Sequence, residues 1–306
     1  SNKCSIHNSF SSNSSWPYSD WSSYCSIAGC TDQVACNYNV DAATDDGSCS
    51  YPEANFDCDG NCIVTIDCAG VCGGSTVEDE CGDCGGNGPA ENFSCDGFKP
   101  ETKDALQAAV NLWVSDEASA LSQFGDINTW DVSLITDMSD LFHGKETFND
   151  DISNWDVSNV TNMSRTFRDA MSFNSDISSW DVSNVTNMRE MFMGWQDPQN
   201  WTIFNGDLSS WDVSNVTDMT RMFNGNIEFD QDLSNWDVSN VTKMEYMFRD
   251  ASSFNGDISS WDVSNVTTME NMFWKAVNFN QDLADWDVSS VTNMGSMFDR
   301  TDSFNG

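Results

Sequence analysis

Ile152-Ser153-Asn154-Trp155-Asp156-Val157-Ser158-Asn159-Val160-Thr161-Asn162-Met163 is one copy of a phrase that the chain writes seven times. Its tryptophan recurs at Trp130, Trp155, Trp180, Trp211, Trp236, Trp261 and Trp286. The step is 25 residues, except from Trp180 to Trp211, where it is 31. A fixed period of this size predicts a solenoid in which each repeat buries its apolar side against its neighbours. In the second copy the apolar positions are Ile152, Trp155, Val157, Val160, Met163, Phe167 and Phe173. Trp155-Asp156-Val157 alternates in, out, in, as a strand does. Thr161 is placed to N-cap a short helix or 3₁₀ turn carrying Met163 and Phe167. Each rung thus reads as strand, turn, short helix, turn, and seven rungs stacked about 4.8 Å apart make a body roughly 35 Å long. The expected fold class is an α+β repeat solenoid over residues 126–306 with an N-terminal disulfide-rich module.

Upstream, residues 98–125 read as a helical cap. Pro100 sits where a helix can begin, Leu106, Ala109, Val110 and Trp113 fall at helical spacing, and Leu121 and Phe124 continue the apolar face. A cap of this kind covers the first rung, whose core would otherwise be exposed. Residues 28–97 are rich in Gly, Asp and Cys. The chain has 12 cysteines, Cys4, Cys25, Cys30, Cys36, Cys49, Cys58, Cys62, Cys68, Cys72, Cys81, Cys84 and Cys95, and none beyond. An even count in a stretch with few core formers reads as a disulfide framework in an oxidising compartment. Cys81-Gly-Asp-Cys84 also fits a zinc site, but histidine is nearly absent and the other gaps are irregular. Residues 1–27 form a Ser- and aromatic-rich arm. Cys4 and Cys25 could close it into a loop, or the arm could order only on a partner.

The composition narrows the function. A net charge of -37, from 49 acidic and 12 basic residues, excludes nucleic acid as a natural partner, because phosphate binding needs a basic patch. Cations are the natural counter-charge. No apolar run is long enough to span a bilayer. The opening Ser1-Asn2-Lys3-Cys4 reads as a mature or truncated start, and Phe304-Asn305-Gly306 stops partway into a repeat turn.

The phrase Ile-Ser-x-Trp-Asp-Val-Ser-Asn-Val-Thr-x-Met-x-x-Met-Phe resembles the surface-protein repeat of the mycoplasma-lipoprotein type, a relative of the BspA-like leucine-rich repeats. The likeness covers residues 126–306 in seven registers. Ala109-Val110-Asn111-Leu112-Trp113 resembles the cap that precedes such arrays, and the segment from Gly29 to Cys49 resembles small Cys-rich modules of secreted proteins. The resemblance implies a leucine-rich-repeat-like fold, extracellular or cell-surface display, adhesion or surface structure, and no enzyme activity. The 31-residue step departs from the common repeat. It inserts Gly194-Trp195-Gln196-Asp197-Pro198-Gln199-Asn200-Trp201 on one face, which makes Trp195 and Trp201 candidate contacts.

Two aspartate columns run along the array, one through Asp131, Asp156 and Asp181, the other through Asp126 and Asp151. Like charges about 4.8 Å apart repel by roughly 0.9 kcal/mol per pair even in water. Serine hydroxyls and turn amides offset this, and the hydrogen-bonded reading is favoured in the repeats. Calcium is the candidate cofactor, with Asp41, Asp45 and Asp46 in the Cys-rich module and Asp131, Asp156 and Asp181 in the array as its oxygen donors; none is required. Asn159, Asn184, Asn215, Asn240 and Asn265 each open an Asn-Val-Thr sequon. Their regular stacking favours an amide ladder over five crowded glycans. Asn13, Asn92 and Asn200 lie outside that register and are better glycan acceptors, and Asn162 is a further sequon. The Trp, Met and Phe columns read as core. With only His7 and His143, no nucleophile–base set appears and no catalytic residue is assigned.

The expected function is a secreted or cell-surface structural and adhesive protein, glycosylated and associating head to tail with itself, to the point of filaments. The alternative is a recognition module that binds a glycan or a protein receptor through the array face or the Trp195/Trp201 insertion.

Overall fold

A computed structural model describes residues 6, 9–10, 12–15, 17, 27–194 and 201–305. Contacts divide the chain into two units, Ser1–Gly88 and Pro89–Gly306. Cys4, Cys25, Trp195 and Asn200 lie outside the described residues. The division falls before residue 97, where the cysteine pattern alone set it. Strands β3 (Phe93–Ser94) and β4 (Gly97–Phe98) form an antiparallel hairpin. Phe98 lies edge-on to Trp130 at 5.1 Å and against Phe124 at 4.5 Å, so aromatic packing assigns the hairpin to the second unit.

The first unit is held mainly by covalent links. Parallel strands β1 (Ile27–Ala28) and β2 (Ala42–Thr44) begin it. Disulfides join Cys30 to Cys49, Cys36 to Cys58, Cys62 to Cys72, and Cys68 to Cys84. Cys81, like Cys95 beyond it, is also disulfide-bonded. Among the described apolar residues of this unit only Cys30 and Ala35 are buried, while Val34, Val40, Tyr51, Ile63, Val71 and Val77 are exposed. From Phe56 onward three small loops follow one another, each closed by one antiparallel bridge: Phe56 with Cys62, Ile66 with Cys72, and Glu78 with Cys84.

The second unit carries the core. Helix α1 (Lys103–Ser115) starts at Thr102, whose hydroxyl accepts the Ala105 amide at 3.2 Å. That cap, rather than Pro100, sets its first turn. Leu106, Ala109, Val110 and Trp113 are buried as their spacing predicts. Helix α2 (Glu117–Phe124) follows, with Asp116 as its N-cap. Leu121, expected on the apolar face, is 49% exposed. The break at Asp116 rotates α2, so that Ala120 and Phe124 face inward instead. Gln107 Nε2 donates to the Leu141 carbonyl at 2.9 Å, taking the place that a preceding rung's amide would hold.

The repeats stack as rungs, but their interior differs from the expected strand and helix. Trp155 and Val157 are buried and Asp156 is exposed, yet no strand forms there. The parallel bridges lie further on, joining Asp137, Asn162, Asn187, Asp218, Lys243, Thr268 and Asn293 in series. From Met163 to Asp169 the chain makes overlapping turns instead of a helix. Thr166, Arg168 and Ala170 donate back three residues within the rung. Met163, Arg165, Phe167 and Asp169 donate to the next rung, to Asn187, Arg189, Met191 and Met193, at 2.8–2.9 Å. A helix would turn all these amides inward along its own axis, whereas the turns share them between two rungs. The geometry requires left-handed backbone at two registers: Asp140, Arg165, Glu190, Arg221, Tyr246, Asn271 and Ser296 have φ of 52–61°, and four residues on Asp169, Asp250, Lys275 and Arg300 have φ of 56–60°. Each such residue is disfavoured by about 1 kcal/mol, and the ladder on both sides fixes it.

Side chains add parallel ladders. Thr161, Thr186, Thr217, Thr242, Thr267 and Thr292 each donate amide and hydroxyl to the threonine carbonyl one rung back. Asn149, Asn174, Asn205, Asp230, Asn255 and Asn280 each accept the following rung's amide at 2.7–3.2 Å. Inside, two phenylalanines per rung stack face to face, as Phe223 does with Phe229 at 4.0 Å and Phe248 with Phe254 at 3.9 Å. Between rungs the Phe142-to-Phe298 column steps by 5.3–5.7 Å, whereas Trp236, Trp261 and Trp286 are 6.3 Å apart. Both exceed the 4.8 Å of a flat sheet, and the second phenylalanine column, from Phe148 to Phe304, is spaced nearly as widely as the tryptophans at 5.7–6.4 Å.

Candidate contact surface

The aspartate columns are satisfied locally. Asp131, Asp156 and Asp181 each accept the amide two residues on, from Ser133, Ser158 and Ser183, at 3.0–3.1 Å. Asp131 also pairs with Lys99 at 2.7 Å. Burial pushes the Asp131 carboxyl up, but the bonds from Lys99 and Ser133 outweigh it and hold the group below the usual range. Asp181 is lowered by the Ser183 hydroxyl and amide. In the second column Asp151, Asp176, Asp207 and Asp257 are lowered by the serine two residues on, and Asp176 pushes Asp151 and Asp207 slightly back up.

The calcium candidates of the first unit behave alike. Asp45 accepts the Gly47 amide and Asp46 the Ser48 amide, both at 3.0 Å, while the Asp41 amide donates to Asn39. The structure does not bring Asp41, Asp45 and Asp46 together into a donor set, and among the described residues no group of three or more His, Cys, Asp and Glu is arranged to hold a metal.

Three carboxylates that the sequence reading missed organise the small loops of the first unit. Asp57 is bonded by the Asn61 amide group and backbone, Asp67 by the Val71 and Thr76 amides, and Asp79 by those of Gly88 and Asp83. These bonds hold all three below the ordinary carboxylate range, led by Asn61 for Asp57, Val71 for Asp67 and Gly88 for Asp79. Their repetition ahead of Cys58, Cys68 and Cys81 was the available signal. Because the folded values are depressed, their stabilisation is complete above the unfolded carboxylate pKa of about 3.9 and disappears as pH falls through the folded values. Amide exchange at Val71, Thr76 and Gly88, corrected for intrinsic rate, should therefore accelerate once pH drops below about 4. Unchanged protection on crossing that window would show that these bonds do not hold the loops.

The sequon asparagines also have partners. Asn159, Asn184, Asn215, Asn240 and Asn265 donate Nδ2 to the preceding rung's Ser133, Ser158, Ser183, Ser214 and Ser239 carbonyls at 2.8–2.9 Å. Asn162 Nδ2 donates to Asp137 at 3.2 Å. Outside this register, exposed Asn13 accepts the Ser15 amide, and half-buried Asn92 accepts that of Glu101. Asn215→Ala should cost about 0.5–1.5 kcal/mol in urea unfolding, the net worth of one such bond. A cost near zero would make the column incidental.

The cations are concentrated on one edge. Lys145, Arg165, Arg168, Arg189, Arg221, Lys243, Arg249, Lys275 and Arg300 are all the Lys and Arg after residue 126, and all lie from the register of Asn162 to that of Ala170, both included. Buried Glu190 is met by Arg168 at 2.7 Å, Arg189 at 3.0 Å and Arg221 at 3.4 Å. Asp169 is raised by burial, against the pull of Arg168 and His143. Further along, Arg221 and Arg249 lie over the Tyr246 ring, and Arg249, Lys275 and Arg300 over Trp274.

The insertion returns onto this edge. Thr202 bridges to Asn226 and its hydroxyl donates to the Phe192 carbonyl at 2.9 Å. Gly225 accommodates the crossing, since a Cβ there would stand 2.8 Å from the Gly194 carbonyl oxygen. Trp201, half-buried, then lines a cavity of about 330 Å³ with Asp250, Ser252, Lys275, Val277, Arg300 and Asp302. Those partners come from three later rungs and were not picked out from the sequence. Reading the single register Asp250, Lys275, Arg300 down the repeats would have found them.

A family model matches residues 113–202 and again 196–306, the two matches meeting in the insertion. No curated protein and no solved structure matches the chain. Together the two matches cover the chain from Trp113 to Gly306, and the chain belongs to the family described as Mycoplasma protein of unknown function, DUF285.

Proposed function

We propose that the chain is a secreted or cell-surface structural and adhesive protein whose repeats form a leucine-rich-repeat-like solenoid. The observation that carries this reading is the pairing of a heavily disulfide-bonded unit with an uninterrupted inter-rung ladder. Disulfides of this density persist in oxidising compartments. The ladder supplies a stiff, repetitive surface suited to contact rather than turnover, so the role is non-catalytic. Among the described residues no helix is long and apolar enough to cross a membrane. Successive rungs pair in parallel and all in the same order, with bonds donated in both directions, so the two ends of the array differ and the array is polar. Association of a polar array is heterologous, head to tail, and leads to filaments when it does not close. Asn13 and Asn92 are the acceptors best placed for glycans, being outside the bonded asparagine ladder. Antibody labelling of intact and permeabilised source cells tests the placement, and antigen accessible only after permeabilisation would overturn it.

A second reading, recognition of a ligand through the insertion, is favoured by the cavity beside Trp201.

A further inference from the structure

We propose that the cleft beside Trp201 binds a neutral saccharide; this rests on the recognition reading and names its ligand class. Trp201 breaks a rule that the other tryptophans obey. Ten tryptophans are described, and nine place the indole N–H on an acceptor: Trp113 on Asp150, Trp274 on Asp299, and the seven column residues on backbone carbonyls. Trp201 Nε1 has no partner among the described residues. That N–H is buried, so what Trp201 offers the cleft is its ring rather than its donor.

The lining of the cleft selects the chemistry. Asp250 and Asp302 are balanced by Lys275 and Arg300, and Lys275 Nζ stands 3.6 Å from Asp250. The cations are also placed in advance. Lys275 lies 4.1 Å from the Trp274 ring centroid and Arg300 lies 5.6 Å from it, which fixes two long side chains before any ligand arrives. A ligand with net negative charge meets the field of a chain at -37, and one with net positive charge meets Lys275 and Arg300. An apolar peptide finds only Trp201 and Val277. A polyhydroxylated ring suits every group: its hydroxyls donate to the carboxylates, accept from the cations and bond Ser252, while its C–H face lies on the indole. The volume, about 330 Å³, is at the lower end of small-molecule sites. The insertion that delivers Trp201 is the single departure from the 25-residue step, so the site exists once in the array.

The test is titration calorimetry of the whole chain against maltohexaose, cellohexaose, laminarihexaose, mannohexaose and chitohexaose, with a heparin hexasaccharide as the anionic comparison. Binding of at least one neutral hexaose is expected, weakened about tenfold or more by Trp201→Ala. Trp201→Phe should keep part of the affinity, and Arg300→Ala should weaken binding with the thermal midpoint unchanged. The Phe and Arg300 variants carry the test should Trp201→Ala fail to fold. Absence of binding to all five neutral sugars, undiminished binding by the Trp201 variants, or preference for heparin would each overturn the proposal. Attachment of the chain to its source cells, measured in parallel, separates the two readings. Attachment that persists without saccharide binding leaves the adhesive role and removes the sugar site, whereas loss of both removes recognition altogether.

Discussion

Phe248→Ala lowers the unfolding free energy by about 3–5 kcal/mol, the range for deleting a fully buried aromatic ring. Phe248 is 0% exposed and stacks on Phe254 at 3.9 Å, on Phe223 at 5.6 Å and on Phe273 at 5.7 Å. Its amide also donates to Met272 at 2.9 Å, so the backbone cannot collapse into the space without giving up the ladder. The cavity therefore stays open, which places the cost toward the upper end. In a stack where each rung touches only its neighbours, the loss is also local in its consequences. Hydrogen exchange should quicken first at Phe223, Met244 and Met269, while Met138 and Met163, far along the array beside the helical cap, keep their protection. Leu121→Ala, at 49% exposure on α2, should change stability by no more than about 0.5 kcal/mol. Urea unfolding of the two variants checks the pair. A Phe248→Ala loss below about 1 kcal/mol would mean that the rungs repack around the gap, as a fluid core would.

The contrast between these two positions shows what could be read from the residues and what could not. Burial of Trp155, Val157, Val160, Met163 and Phe167 followed from the period alone, because a column repeated seven times can only be covered by its own copies. The path of the backbone through those residues did not follow. Thr161 and Met163 have the spacing of a helix start, and nothing in side-chain type announces that Arg165 and Asp169 take left-handed backbone. That choice is set by the neighbouring rung, which claims alternate amides, and such competition is tertiary rather than local. Leu121 went astray for a related reason: the helical register was carried straight through Asp116, where the chain ends one helix and caps the next. The candidate site was half legible. Trp201 stood out through the irregular step, but Asp250, Lys275 and Arg300 sit in ordinary copies and become neighbours of Trp201 only when three further rungs are stacked. The calcium candidates were chosen by composition, which does not foretell that Asp45 and Asp46 each accept the amide two residues on.

Complete reduction with a phosphine unfolds the first unit and leaves the second folded. The loops closed by the four disulfides are 10–22 residues in sequence separation. Cross-links of that span contribute about 2–4 kcal/mol each, so four together reach the whole stability of a typical domain, about 5–15 kcal/mol. Hydrophobic burial cannot take over, because Cys30 and Ala35 are the only described apolar residues of that unit out of contact with water, and Cys30 is itself a bridge. The bonds to Asp57, Asp67 and Asp79 are exposed loop bonds, which close turns but do not bring distant segments together. On reduction, amides such as Ile63, Val71 and Gly85 should lose protection, while those of Met188, Phe192 and Phe223 keep theirs and the emission of the buried column tryptophans stays unchanged. Persistence of structure in the reduced unit would mean that a force other than the covalent links holds it. Repeating the reduction with a calcium chelator then decides the matter: collapse only in its presence would assign the acidic loops to a bound cation, and collapse without it confirms that the bridges alone hold a segment that has almost no core.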